Sequence, residues 1–311
     1  MINLADILTR YRKRIVWGAG RKFVHEYDSM MPIDYIVDSN KAIWGQRVHG
    51  IEICAPSNLL MERKGETCVI ICSRFEQEII KSLKEMGINE NVYTWEMIVS
   101  SSVNCSSKKS YAAFAEDAII AGMSDRYSIP IKYYMDIGAN HPIVGNATFS
   151  FYVKGAEGCL VEPNIEYKEI LELCRPRDTI VTAGVASALN DGNDLVYYQI
   201  AGGSTRNTFS KELADEYMKA GYQVADTKLK MYSLNHLIDL YGKKVDYINI
   251  DVEGLEYEIL KDFSFEDNDV SFFNIEKSDQ RIIDIMKAND YEVAAETLSN
   301  WVFVKKGLVR E

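Results

Sequence analysis

Acidic and small residues stand at the end of a predicted strand in YYMDIGANHP, residues 133–142. Asp136 lies within the apolar run, and Gly138 and Asn140 come shortly after it. Gly138 permits a positive φ and a close approach of the backbone to a ligand, while Asp136 can accept hydrogen bonds from an amine or a hydroxyl. The pattern predicts a strand-end binding site for a small molecule, with an ordinary strand-to-helix turn as the alternative.

A second acid, Glu162, ends the next predicted strand, in LVEPN. A carboxylate at this position can accept two hydrogen bonds from a ribose diol, as it does in dinucleotide sites. The small residues of AGVAS, after a third predicted strand, could leave room for a flat adenine ring. Together the three groups predict a nucleoside site, whose members are Asp136, Gly138, Asn140, Glu162, Pro163, Asn164 and Gly184.

The predicted fourth strand ends in IDVEG, with Asp251 and Glu253 two positions apart. On an extended backbone both side chains would face the same way, and their repulsion would raise one pKa, which suits a general base. A helix N-terminus, where acids are favoured, is the alternative for both. His141 directly follows the first turn and is the third catalytic candidate.

Glu276 ends the predicted strand after Asp251, in FFNIEKS. Adjacent strand-end carboxylates could hold Mg²⁺, which prefers oxygen ligands. The segment AGGSTRNTFS, residues 201–210, could close over an acceptor, with Arg206 binding an acidic or phosphorylated group. A plain loop before a capped helix is the alternative. His236, in SLNHLIDL, is predicted to be an ordinary helix residue.

Strands alternate with helices along most of the chain, which predicts the α/β class with mostly parallel, doubly wound sheets. The serine-rich SSSVNCSSKKS, residues 100–110, is the best linker candidate and divides the chain into domains 1–108 and 109–311. The last two strands are joined too tightly for a crossover helix, so an antiparallel edge is expected in the second domain.

The first domain carries a partial dinucleotide-binding pattern in WGAGRKF. Gly18 and Gly20 follow a predicted strand, but Phe23 takes the third glycine position, and Asp38 stands where a ribose-binding acid would be. This Rossmann-like domain could bind a nicotinamide nucleotide or a nucleotide-sugar, dock a partner enzyme, or serve as a scaffold. We favour no hydride chemistry in it.

The net charge of −11 argues against a general nucleic-acid binder. No signal peptide or membrane-spanning segment is visible, and the six scattered cysteines form no zinc-binding pattern, so a cytoplasmic location is expected.

The order DIGANHP, NATFSFYVKGAEGCLVEPN, RPRDTIVTAGVAS and YINIDVEGLEYEIL resembles the FkbM-type family of S-adenosylmethionine-dependent methyltransferases, over roughly residues 111–311. The resemblance implies a class I methyltransferase-like fold and methyl transfer to a hydroxyl of a sugar or nucleotide-linked glycan precursor in polysaccharide biosynthesis, while lipid, polyketide and small-molecule hydroxyls stay open as acceptors. It also implies that Asp136 and Gly138 lie along the methionine part of the cofactor and that Glu162 binds the ribose. Asn140 departs from the second glycine that is frequent in class I enzymes.

Two other functions stay open at this point. One is a nicotinamide- or nucleotide-sugar-dependent enzyme that uses the first domain, and the other is a non-catalytic scaffold. A homo-oligomer or a biosynthetic partner bound through the first domain is a further expectation.

Overall fold

The structure is a computed structural model that describes residues 4–27, 31–102, 110–201 and 206–308. The chain forms two compact units, Met1–Ser107 and Lys108–Glu311. The predicted domain boundary at residue 108 lies outside the described residues. No helix among the described residues is long and apolar enough to cross a membrane.

The first unit is a six-stranded sheet with helices packed on it. Its strands are β1 Lys13–Trp17, β2 Tyr35–Val37, β3 Arg47–Val48, β4 Ile51–Cys54, β5 Thr67–Ile71 and β6 Val92–Thr94, and its helices are α1 Leu4–Arg10, α2 Arg21–Glu26, α3 Glu76–Glu85 and α4 Trp95–Ser102. The order is β3-β4-β2-β1-β5-β6, and every pairing except β3–β4 is parallel. Buried Ile, Val and Cys side chains of β1, β2 and β5 form the centre of its core.

The second unit contains a large sheet and a small one. Its strands are β7 Tyr133–Ile137, β8 Glu157–Val161, β9 Thr179–Val181, β10 Gly184–Val185, β11 Asp194–Ile200, β12 Val224–Tyr232, β13 Tyr247–Ile250, β14 Phe272–Glu276, β15 Tyr291–Glu296 and β16 Asn300–Lys305. Its helices are α5 Glu116–Tyr127, α6 Phe149–Val153, α7 Lys168–Cys174, α8 Lys211–Lys219, α9 Leu234–Tyr241, α10 Glu256–Leu260 and α11 Arg281–Ala288.

The large sheet has the order β15-β16-β14-β13-β7-β8-β9. Strand order reverses between β7 and β13, which is where doubly wound sheets bind ligands beyond the carboxyl ends of their strands. The α/β class is confirmed, and so is the antiparallel pairing at the edge. The strand of reversed direction is β16, which inserts between β14 and the edge strand β15.

Two predicted strands end earlier than the sequence suggested. The segment 179–186 leaves the large sheet after β9, and its second half, β10, pairs instead with β12 in the small sheet. The segment 246–254 is a strand only to Ile250, because Glu253 and Gly254 adopt positive φ values of 58° and 106° and turn the chain. The long antiparallel pair β11–β12 has no counterpart in the sequence analysis.

Candidate functional site

A cavity of about 710 Å³ lies in the second unit at the carboxyl ends of β7, β8 and β13. A volume of this size is typical of small-molecule sites. Nine of the predicted site residues line it: Asp136, Gly138, Asn140, His141, Glu162, Pro163, Gly184, Asp251 and Glu253. Asn164 and Glu276, the other two, are not among the described lining residues.

Gly138 closes β7 with a turn that only glycine fits. Its φ is +81°, and a Cβ atom on it would lie 1.8 Å from the backbone oxygen of Asp251. The backbone of the turn therefore packs directly on the chain that leaves β13. This contact brings the predicted cofactor turn and the predicted catalytic acid into one place.

Glu162 is a buried carboxylate held by backbone donors. Its Oε2 accepts a hydrogen bond from the N–H of Asn140 at 2.8 Å, and its Oε1 accepts one from the N–H of Asn164 at 2.8 Å. Burial raises the pKa of Glu162 to about 7, although these two donors favour its ionised form. Each carboxylate oxygen keeps a second lone pair, so the group can accept the two hydroxyls of a ribose diol.

Asn164 is not among the described lining residues, but it contacts Glu162, which is. Its N–H donates to Glu162, and its side-chain Oδ1 accepts from the N–H of Glu166 and from Nε2 of Gln199. The side chain starts the short 3-10 turn Ile165–Tyr167. Asn164 thus orients the Glu162 carboxylate, which is a more indirect role than the predicted contact with a cofactor.

Asp136 is occupied by protein donors. Its Oδ2 accepts from Nδ2 of Asn146 at 3.0 Å and from Oγ1 of Thr148 at 2.7 Å, and its Oδ1 accepts from Nδ2 of Asn249 at 2.8 Å. The carboxylate lies on the cavity wall with 1% of the residue exposed. The structure therefore gives Asp136 a role in fixing the loop after β7 as well as the predicted place beside a ligand.

Asn274, in the same row of the large sheet as Asp136, carries a hydrogen-bond acceptor that has no partner among the described residues. Asp136, Asn249 and Asn274 are paired across β7, β13 and β14, and Nδ2 of Asn274 donates to Oδ1 of Asn249 at 2.8 Å. Oδ1 of Asn274 is buried without a hydrogen-bond partner among the described residues, and Asn274 lines the cavity. A buried unsatisfied oxygen on a cavity wall favours a ligand with an N–H or O–H donor.

Arg175 supports this region and was given no role in the sequence analysis. It is fully buried, and each of its three guanidinium nitrogens donates a hydrogen bond. Nε pairs with Asp178 at 2.8 Å, Nη1 donates to the carbonyl of Pro142 at 2.9 Å, and Nη2 donates to Thr148 at 3.1 Å. Arg175 therefore connects the loop after β7 to α7. The first arginine of RPRD, residues 175–178, was the signal in the sequence that could have indicated this role.

Asp251 has the electrostatic character of a general base. Solvent reaches it through the cavity, but protein surrounds its other sides, and this burial together with the charges of Glu253 and Glu256 raises its pKa to about 7. The predicted rise in pKa and the predicted contribution of Glu253 therefore agree with the structure, although burial is the larger cause. The predicted shared strand face is wrong, because the strand ends at Ile250. Burial also raises the pKa of Glu253, whose positive φ places it in a turn.

The magnesium hypothesis is not supported. Among the described residues, no group of three or more His, Cys, Asp or Glu side chains is arranged to hold a metal ion. Burial and the charge of Asp251 raise the pKa of Glu276 to about 8.

His141 is oriented by its own loop. Its Nδ1 lies 3.1 Å from the N–H of Ile143 and 3.0 Å from the N–H of Val144, so Nδ1 accepts and Nε2 carries the proton. In this tautomer the ring can donate a hydrogen bond to a ligand. The predicted catalytic role of His141 stays a prediction.

The small sheet supplies the wall opposite Glu162. A Cβ atom on Gly184 would lie 2.5 Å from Phe209 Cζ and 2.5 Å from Met231 Sδ. A side chain at position 184 would therefore have no room, while Gly184 itself lines the cavity, and the room predicted for adenine beside AGVAS stays a prediction. Phe209 packs against Tyr197 with ring centroids 4.9 Å apart, and all of these residues line the cavity.

Two further predictions concern residues near this wall. The guanidinium of Arg206 lies 5.2 Å from the ring centroid of Tyr222 and is not among the described lining residues. Residues 202–205 of the predicted acceptor loop lie outside the described residues. His236 lies in the first turn of α9 and pairs with Asp191 through Nδ1 at 2.9 Å, and neither residue is among the described lining residues.

Comparison with known proteins identifies the family. The model of the methyltransferase FkbM domain matches residues 136–293, which is half of the chain. The protein belongs to the FkbM methyltransferase family. The match begins at Asp136 and includes the site residues from β7, β8 and β13, so the resemblance seen in the sequence is confirmed. The second unit is accordingly a methyltransferase domain.

Other comparisons add little to this assignment. The crystal structure of a candidate RNA methyltransferase from Pyrococcus horikoshii is similar at 13% identity and a TM-score of 0.33, over 66% of this chain and 94% of that chain. No match to a curated protein was found.

Proposed function

We propose that the second unit is an S-adenosylmethionine-dependent O-methyltransferase. The observation that carries this proposal is the pairing of the Gly138 turn with the buried Glu162 carboxylate on one cavity wall. Glu162 would hold the ribose hydroxyls, the backbone of the Gly138 turn would lie along the methionine part, and Asn274 Oδ1 offers an acceptor to an ammonium or hydroxyl group. When bound, S-adenosylmethionine supplies an electrophilic methyl group.

Asp251 is the proposed proton acceptor. Its backbone packs on Gly138, which places its carboxylate next to the cofactor turn, and its pKa of about 7 matches the pH at which a base is most effective. It would take the proton of the acceptor hydroxyl. Glu276 lies beside it, and burial together with the charge of Asp251 raises the pKa of Glu276.

The acceptor is proposed to be a sugar hydroxyl. Carboxylates of Glu116, Asp136, Glu162, Asp251, Glu253 and Glu258 line the cavity, and none of the described lining residues is Lys or Arg. A phosphate group inside this cavity would find no cationic partner. Of the two acceptor types that the resemblance implies, the lining therefore favours an uncharged sugar over the phosphorylated part of a nucleotide-linked precursor.

Titration calorimetry with S-adenosylhomocysteine tests the cofactor assignment, and we expect binding with one ligand per chain. The acceptor assignment is tested by incubating the protein with S-adenosylmethionine and a panel of sugars and nucleotide-linked sugars, followed by mass spectrometry. The expected product has gained the mass of one CH₂ unit, and Asp251→Asn should slow this gain by about 10²–10⁴-fold without abolishing binding. The proposal would be overturned if neither S-adenosylhomocysteine nor S-adenosylmethionine bound.

A further inference from the structure

The first unit contains strand-end features that resemble those of the proposed nucleoside site in the second unit. In the first unit, β1 and β2 are paired so that Trp17 lies opposite Val37. In the second unit, β7 and β8 are paired so that Ile137 lies opposite Val161. A glycine follows the first strand of each pair, and an acid follows the second. The acid of the first unit is Asp38, at the position that Glu162 occupies in the second.

The two glycines make the same contacts. The N–H of Gly18 donates to the carbonyl of Val37 at 2.9 Å, as that of Gly138 donates to Val161 at 2.9 Å. Gly18 has a φ of +119°, and a Cβ atom on it would lie 2.5 Å from the backbone oxygen of Cys72, the residue after β5. Cys72 therefore holds the place that Asp251 holds beside Gly138. Each turn excludes any side chain at this point.

The two acids are held in the same way. Oδ2 of Asp38 accepts from the N–H of Ala19 in the glycine turn at 2.9 Å, and its Oδ1 accepts from the N–H of Asn40 at 2.8 Å. Asn40 corresponds to Asn164, because each lies two residues after its acid and starts a 3-10 turn through its side-chain oxygen. Each acid is thus held by one N–H from its glycine turn and one from the asparagine two residues after it, although Ala19 directly follows its glycine and Asn140 lies two residues after Gly138.

The ligand class follows from the groups around Asp38. The half-buried carboxylate keeps a second lone pair on each oxygen, which suits the two hydroxyls of a ribose. Trp44 lies next to it, because its indole N–H donates to the backbone carbonyl of Asp38 at 2.7 Å, and the residue is 36% exposed. A partly exposed indole beside a ribose acceptor can stack on a base.

Two residues argue against a bound dinucleotide. Phe23, at the third glycine position, is fully buried in the core, and Lys22 is paired with Glu96. The Phe23 side chain replaces the glycine that would allow close approach of the backbone to a pyrophosphate bridge. The ion pair with Glu96 engages the Lys22 cation that such a bridge would use. We propose that the first unit holds a second, independent site for a ribonucleoside or its simple phosphates, in which Asp38 accepts the ribose hydroxyls.

The test uses the full chain with S-adenosylhomocysteine at saturation, so that the cavity of the second unit is filled. AMP, GMP, UMP and CMP are titrated by calorimetry, each against its 2′-deoxy counterpart. We expect at least one to bind, and we expect its 2′-deoxy form and the Asp38→Asn variant each to reduce the affinity by about ten-fold or more. Glu52→Gln, an exposed acid on β4, is the matched control and should leave the affinity unchanged.

The comparison with 2′-deoxy nucleotides is made on the unaltered chain and does not depend on how Asp38→Asn folds. Absence of binding for all four nucleotides at millimolar concentration would overturn the proposal, and so would binding that ignores both the 2′-hydroxyl and Asp38→Asn. Failure of the proposed methyltransferase function gives a different result, because S-adenosylhomocysteine would then not bind while a nucleotide sensitive to Asp38→Asn still would.

Discussion

Replacing Glu162 by glutamine tests the proposed cofactor site most directly. The carboxylate accepts from the N–H groups of Asn140 and Asn164 and would accept two ribose hydroxyls. Glutamine has one carbonyl oxygen, and its NH₂ group would face one of the backbone donors. A hydrogen bond to a charged acceptor is worth about 1.5–3 kcal/mol. Loss of one such bond to the ligand predicts roughly 10- to 150-fold weaker binding of S-adenosylhomocysteine.

The same substitution should remove a pH dependence. In the free protein the pKa of Glu162 is about 7, and hydroxyl donors from a bound ribose favour the ionised form. Binding below pH 7 therefore releases a proton, and affinity should rise with pH. If the bound pKa is below 5, proton linkage predicts roughly 30-fold tighter binding at pH 8 than at pH 5.5. Glutamine does not titrate, so this contribution disappears in the variant.

Calorimetry in buffers of different ionisation enthalpy measures both effects. The matched control is Glu166→Gln, an exposed acid in the same segment, which should keep the wild-type affinity and the proton release. Unchanged affinity in Glu162→Gln would remove this residue from the site. Equal proton release by the wild type and Glu162→Gln would show that another group titrates, and Asp251 would then be the first one to examine.

Three further substitutions test the rest of the site. Gly138→Ala should abolish measurable binding of S-adenosylhomocysteine, because the added Cβ would clash with the backbone oxygen of Asp251. Gly155→Ala is the control: Gly155 has a φ of +100° and open space around it, so this variant shares the backbone strain but not the clash. Asp251→Asn should lower turnover by about 10²–10⁴-fold and remove its rise through pH 7, with binding retained in calorimetry. Arg175→Met leaves Asp178 buried and unpaired and should lower the free energy of unfolding by about 3–5 kcal/mol in urea titrations. An unchanged urea midpoint would contradict the role given to Arg175.

The strand ends could be predicted from sequence because local chemistry sets them. An apolar run followed by Gly138 or by Glu162 predicts a strand that stops at a turn, and parallel strands bring such turns to one edge of the sheet. Nine of the predicted residues accordingly line one cavity. The path of the chain after Ile250 could not be read in this way, because the positive φ of Glu253 is an uncommon conformation for a residue other than glycine.

The polar interior beneath the site could not be predicted because its contacts are distant in sequence. Arg175 joins Pro142 and Thr148, and Asp136 joins Asn249, through pairs that lie far apart along the chain. No spacing rule selects these partners, since each depends on the sheet order. The role of Phe209 opposite Gly184 was hidden for the same reason, because β10 leaves the large sheet and pairs with β12.

The repeated framework of the two units shows where their chemistry separates. The glycine turn packs on the residue after β5 in the first unit, which is Cys72, and on the residue after β13 in the second unit, which is Asp251. Burial raises the pKa of the Cys72 thiol to about 12, so it stays neutral within the core, whereas Asp251 reaches the cavity with a pKa of about 7. Both acids that follow the second strand can accept hydroxyls, but only the second unit places a titrating group beside its glycine turn. Binding of a nucleoside is therefore expected of both units, and proton transfer only of the second.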